Sequence, residues 1–133
     1  MTYHFNTFQI EDDTVFYSSE FSYAFTNLKC FRPGHVLVCP KRVVKYIDEL
    51  SWVEQKDLVE TVQRVAKAML EFYHLKPSGV TLTLQDGKGA GQSVPHVHYH
   101  VIPMIPTEPT SHSKQYYDLV KSGNFGPVES LKP

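Results

Sequence analysis

Residues 95 to 103 read PHVHYHVIP and set three histidines, His96, His98 and His100, at strict alternation. On a strand, successive side chains point to opposite faces, so the three imidazoles share one face and Val97, Tyr99 and Val101 share the other. One face then carries chemistry while the other packs. Neighbouring imidazoles on such a face lie about 6.7 Å apart and the outer pair about 13 Å. Three readings compete for this row. A metal site needs its nitrogens at about 2.0 to 2.1 Å from one ion, so the third histidine would have to lean across the whole face, and no fourth ligand is obvious nearby. Three solvated histidines on an exposed strand leave the apolar opposite face unexplained. Nucleophilic catalysis uses the row as it stands: a central imidazole attacks through its unprotonated nitrogen, a hydrogen bond to the other nitrogen fixes the tautomer, and the flanking rings handle charge. His98 is the attacker in that reading because both its flanks are occupied. Attack on phosphorus would give a phosphoramidate that water then releases, with His96, His100 and the adjoining loop as donors to the phosphoryl oxygens.

That loop, DGKGAGQSVP, contains three glycines and lies directly before the histidines. It is neither a nucleotide-binding P-loop nor a Rossmann turn, since a strand follows it rather than a helix. Its backbone N–H groups can approach a phosphate, and Gln85 and Gln92 bracket it as neutral donors.

The elements that must position these groups are legible as a meander. TVFYSSEFSYAFTNL predicts strands over about 15–18 and 21–27, and RPGHVLVCPKR predicts a turn and a buried strand over 35–39. Ser51 and Glu54 form a capping box ahead of Leu58, Val62, Val65, Ala66, Met69 and Phe72, whose spacing predicts an amphipathic helix over about 51–74. VTLTLQDG predicts the strand before the loop. After Pro103 the chain turns Pro- and Thr-rich, which suggests a mobile loop over about 104–113, a short helix over 114–122 and an irregular tail over about 123–133. The order of segments predicts an α+β domain with helices on an antiparallel sheet.

Bulk properties narrow the field. The 133 residues fit one domain, 1–133, and 41% hydrophobic with 20% charged residues is globular composition. The start, MTYHFNTFQIEDD, does not resemble a secretory signal, and no run is apolar enough to span a membrane. Net charge is -1 with scattered basic residues, which argues against nucleic acid as a partner. Cys30 and Cys39 are too few for a disulfide framework and suit a reducing interior, so a cytoplasmic location is expected, with the nucleus as a second one.

HVHYHV resembles the signature of the histidine triad superfamily of nucleotide hydrolases and transferases. More narrowly, PGHVLVCPKR, LQDGKGAGQSVPHVHYHVIP and SYAFTNL resemble the fragile-histidine-triad branch, whose members hydrolyse diadenosine polyphosphates; the resemblance covers about residues 3–120. The nucleoside phosphoramidase branch shares GQSV, but its Gly-Gly-Arg segment and Trp-Pro-Pro-Gly ending are replaced here by MIPTEPTSHSK. The resemblance implies a five-stranded antiparallel sheet with two helices, and a homodimer in which two sheets join into one. It implies a diadenosine triphosphate hydrolase that releases AMP and ADP through an adenylylated His98. His35 resembles the histidine supporting the triad, Gln85 and Gln92 the phosphate-contacting glutamines, and Asn27 the ribose-contacting residue. Phe5, Ile10, Phe25 and Leu37 occupy positions like those lining the adenine pocket. No cofactor bound by the protein is implied, although a divalent cation, Mg or Mn, can accompany the polyphosphate. Two features depart from the pattern: Pro95 precedes the triad, and the basic pair often found after it is missing. Tyr116 sits where animal members carry a regulatory tyrosine in a mobile loop, although a plain helix aromatic is the favoured role here. The rival readings are an adenosine phosphoramidase of the same fold, a nucleotide-binding signalling module with slow turnover, and a zinc enzyme.

Overall fold

The computed structural model describes residues 3–26, 35–75 and 78–104. Asn27, Cys30, Tyr116 and nearly all of the segment expected as a mobile loop, second helix and tail lie outside these residues.

Strands β3 (Val15–Ser18), β4 (Ser22–Thr26), β5 (Val36–Pro40), β6 (Val80–Leu84) and β7 (Tyr99–Pro103) form one sheet in the order β3-β4-β5-β7-β6, with every pair antiparallel. β1 (Tyr3–Phe5) and β2 (Phe8–Ile10) form a separate two-stranded hairpin, which the strand pattern does not suggest. Helix α1 spans Trp52–Phe72, and the Ser51 side chain accepts from the Glu54 N–H while the Glu54 carboxylate accepts from the Ser51 N–H. The capping box is therefore formed as expected. Glu54 also takes both a hydrogen bond at 3.0 Å and an ion pair at 2.9 Å from Arg42, tying the helix start to the chain leaving β5.

The helix lays Leu58, Val62, Val65, Ala66 and Met69 on one face of the large sheet, against Ala24, Val36, Val38, Val97 and Val101. Phe72, expected in the same stripe, is 75% exposed. It lies in the last turn, three residues past Met69, where Tyr73 packs against that cluster instead. The other face of the sheet carries a second cluster of Phe5, Ile10, Tyr23, Phe25, Leu37, Cys39 and Val94, which the hairpin covers. Strand alternation thus divides the chain between two apolar layers, and the histidines belong with the second. Among the described residues no helix is long and apolar enough to cross a membrane.

Candidate active site

Only His100 lies inside regular strand β7, whereas His96 and His98 precede it. The expected strand over all three is corrected, because the backbone there bonds elsewhere: the Val97 N–H donates to the Val44 carbonyl at 2.8 Å. The predicted division of faces holds regardless. Val97, Tyr99 and Val101 pack toward the helix, and the three imidazoles are buried on the opposite side, where Phe5 meets His98 edge-on at 5.0 Å and His96 at 5.4 Å between centroids.

Hydrogen bonding fixes two of the three tautomers. The His96 Nδ1 accepts from the Asn6 N–H at 2.8 Å, so its proton sits on Nε2, which donates to the Pro40 carbonyl at 2.8 Å. Both its nitrogens are engaged by backbone. His98 Nδ1 lies 2.6 Å from the His96 carbonyl oxygen. A carbonyl only accepts, so Nδ1 carries the proton and Nε2 of His98 keeps its lone pair, the one atom of this ring able to act as a nucleophile. The His98 ring is also 5.0 Å from that of His100, at 72° between planes, so the two rings form an adjoining pair.

His35 reaches this group from the start of β5. Leu37 stands directly opposite His100, which makes His35, two residues earlier, its diagonal neighbour. His35 Nε2 and His100 Nδ1 are 2.9 Å apart and share one proton between them. Burial away from water disfavours the charged form of all four imidazoles: His98 is lowered to about 4 and His35 to about 3, with His100 and His96 also below their ordinary value. The His96 carbonyl opposes that trend at His98, and the nearby His98 ring adds to it at His35. The row is therefore neutral near pH 7, the state a nucleophile needs. Among the described residues no group of three or more His, Cys, Asp or Glu side chains is arranged to hold a metal ion.

Gln85 follows β6 and is buried, one residue past Leu84, which pairs with Tyr99 at the start of β7. Gln92 is buried too, with its amide nitrogen donating to the Lys45 carbonyl at 2.8 Å and its Oε1 left without a partner among the described residues. The second amide hydrogen of Gln92 can serve a phosphate oxygen. The glycine loop between them is more ordered than its composition suggests. Residues Lys88–Ala90 form a 3-10 turn, and the N–H groups of Ala90, Gly91 and Gln92 bond to Gly87 and Lys88 carbonyls within it. Those three are occupied and do not cradle a phosphate. The turn is anchored by Asp86, whose carboxylate accepts from the Ile47 N–H at 2.9 Å.

Phe5, Ile10, Phe25 and Leu37 come together in the second cluster, with Phe25 paired to Leu37 across β4 and β5 and 5.4 Å from Phe5. Sequence reasoning missed the main-chain groups of Asn6 and Pro40, which hold His96. Only the Asn of Asn6-Thr7 hints at a turn there, and the flanking apolar segments are too short to mark strands.

An antiparallel five-stranded sheet with tautomer-fixed imidazoles leading into an interior strand is the arrangement of a histidine-triad domain. The chain belongs to the HIT domain family, which matches residues 9–106. It is 39% identical over 120 residues to a Dictyostelium discoideum protein named bis(5'-adenosyl)-triphosphatase, covering 90% of this chain and 79% of that one. It is 45% identical over 102 residues to the Arabidopsis thaliana bifunctional bis(5'-adenosyl)-triphosphatase/adenylylsulfatase FHIT, covering 77% of this chain. It spans only 56% of that relative's length. Among solved structures, the Caenorhabditis elegans NitFhit protein superposes with a TM-score of 0.76 at 36% identity, over 94% of this chain and 30% of that one.

Proposed function

We propose that this chain hydrolyses diadenosine triphosphate to AMP and ADP through an adenylylated His98. The observation that carries the reading is the 2.6 Å contact from His98 Nδ1 to the His96 carbonyl, which leaves Nε2 free to attack. In the first step the Nε2 lone pair bonds to the α-phosphorus as the bond from phosphorus to the ADP oxygen breaks, and ADP leaves as an anion. The ring keeps its Nδ1 proton, so it becomes cationic, and the His96 carbonyl stabilises that charge. In the second step water attacks the same phosphorus, the N–P bond returns its electron pair to Nε2, and AMP and a proton are released.

His100 serves as the donor to the phosphoryl oxygens when its proton is on Nε2, which makes its Nδ1 the acceptor and His35 the donor across their 2.9 Å contact. Gln85 and Gln92 add neutral donors, and the cluster of Phe5, Ile10, Phe25 and Leu37 supplies apolar surface for an adenine. Asn27 is assigned to the ribose on the resemblance alone. A divalent cation enters with the polyphosphate rather than through a protein site. The reading includes a homodimer with joined sheets, supported by the exposed Leu82 on edge strand β6.

The test is release of AMP and ADP from diadenosine triphosphate, with an adenosine phosphoramidate as the competing substrate. Wild type should turn over the dinucleotide, and His98→Ala should lose about 10^4-fold or more of kcat. Absence of both products from wild type, or near-normal turnover by the variant, overturns the reading; faster turnover of the phosphoramidate moves it to the sister activity.

A further inference from the structure

The site owes its order partly to a piece of chain that the family match does not include. The match begins at residue 9, yet the group bonded to His96 Nδ1 belongs to Asn6. Phe5 pairs with Phe8 at the end of the β1–β2 hairpin, so Asn6 and Thr7 are its two turn residues. Asn6 has φ 56, the left-handed conformation that asparagine and glycine adopt most readily and that β-branched residues resist. Within this turn the Asn6 N–H faces His96 Nδ1 at 2.8 Å.

We propose that the β1–β2 hairpin is a positioning element of the active site, with Asn6 as its positioning residue, acting through His96 on the nucleophile. The chain of contacts is continuous. The Asn6 N–H holds His96 Nδ1 unprotonated, His96 Nε2 donates to Pro40 at the end of β5, and the His96 carbonyl accepts from His98 Nδ1. The His96 ring is thus clamped at both ends between two elements, and the clamp fixes the carbonyl that selects the reactive tautomer of His98. Loss of the Asn6 donor would leave a buried acceptor facing apolar rings and favour the proton on Nδ1. His96 Nε2 would then confront the Pro40 carbonyl as a second acceptor, and the peptide bearing the His96 carbonyl would shift. Phe5, next to Asn6, packs on both His96 and His98, so a displaced turn moves that wall as well.

This inference rests on His98 as the nucleophile, and its test has a readout that needs no substrate. Long-range proton–nitrogen correlation spectra of the imidazoles report the His96 tautomer directly, and kcat and KM for diadenosine triphosphate are measured alongside. Asn6→Gly keeps the conformation and the donor, and should retain the Nε2–H form of His96 with kcat within about twofold. Asn6→Val resists positive φ; it should move His96 away from that tautomer and lower kcat by about 10- to 100-fold, the range expected for a small misplacement at a reacting centre. Should Asn6→Val not fold, Asn6→Ala carries the same comparison with a smaller displacement. A wild-type His96 protonated on Nδ1, a valine or alanine variant with unchanged tautomer and kcat, or activity lost while the tautomer stays put would each overturn the proposal. A wild type without turnover defeats the hydrolase reading alone, because the spectra still decide whether the hairpin sets the tautomer.

Discussion

At the scale of the residue, an unusual degree of control falls on one proton. His98 holds it on Nδ1 because a main-chain oxygen lies 2.6 Å away, and burial holds the ring neutral by lowering its pKa to about 4. A solvated imidazole near 6.5 would lose half of its nucleophile at mildly acidic pH. Here the neutral form persists well below that, so kcat/KM should show no imidazole limb near 6.5 as long as the chain stays folded. Rate measurements from pH 5 to 8, with folding followed by circular dichroism in the same buffers, check it; a midpoint near 6.5 in folded protein would mean that water reaches the ring freely. The central place of His98 in the row is readable from alternation, since the middle of three imidazoles is the one with a neighbour on each side. The role of His96 is not, because its partners are backbone groups of Asn6 and Pro40, and side-chain types do not encode main-chain donors far away in sequence.

At the scale of the element, the site hangs on segments that carry little regular structure. The loop before the histidines is braced against the chain between β5 and α1 by Asp86 to Ile47, Gln92 to Lys45 and Val97 to Val44. Gly87 sits at the centre of this brace with φ 104, and a Cβ there would lie 3.3 Å from Tyr46 Cε1. Its carbonyl also accepts the Gln92 N–H at 3.1 Å. Gly87→Ala should therefore destabilise the fold by about 1 to 3 kcal/mol and lower kcat/KM through displacement of Gln92. Gly89→Ala is the control, since a Cβ there would meet nothing within 4 Å and its φ is not positive. Thermal melts and steady-state kinetics of the two variants separate a strained position from a merely glycine-rich one. Local signals explain which elements are legible: Ser51, Glu54 and the spacing of Leu58, Val62 and Met69 define α1 within a few residues. The start of β7 at Tyr99 is not legible, because the residues before it pair with a segment about fifty positions earlier. The β1–β2 hairpin escapes for a related reason, as three-residue strands offer too short a pattern to stand out from a loop.

At the scale of the whole molecule, the large sheet separates two apolar layers, one under α1 and one under the hairpin, and four imidazoles lie on the hairpin side. This arrangement makes stability depend on pH in a definite direction. In the unfolded chain the histidines take up protons near 6.5, whereas in the folded chain His98 does so only near 4 and His35 near 3. Between those values the unfolded state binds more protons, so stability is fully present above pH 6.5 and declines as pH falls below it. The slope is about 1.4 kcal/mol per pH unit for each imidazole that stays neutral. Glu54 behaves differently. The bond from Arg42 holds its carboxyl down to about 2, so its contribution is present above the ordinary value of 4.5 and is lost only as pH falls below that. Calorimetric melts between pH 8 and 3.5 should show Tm decreasing from about pH 6.5, well before carboxylates titrate. His35→Gln should lower the slope of the decline between 6.5 and 4.5 by one imidazole's share, about 1.4 kcal/mol per pH unit, while Glu54→Gln should leave that interval's slope intact. A Tm that stays level down to pH 4.5 would show that the histidine row is hydrated, and would remove the physical basis for a neutral nucleophile.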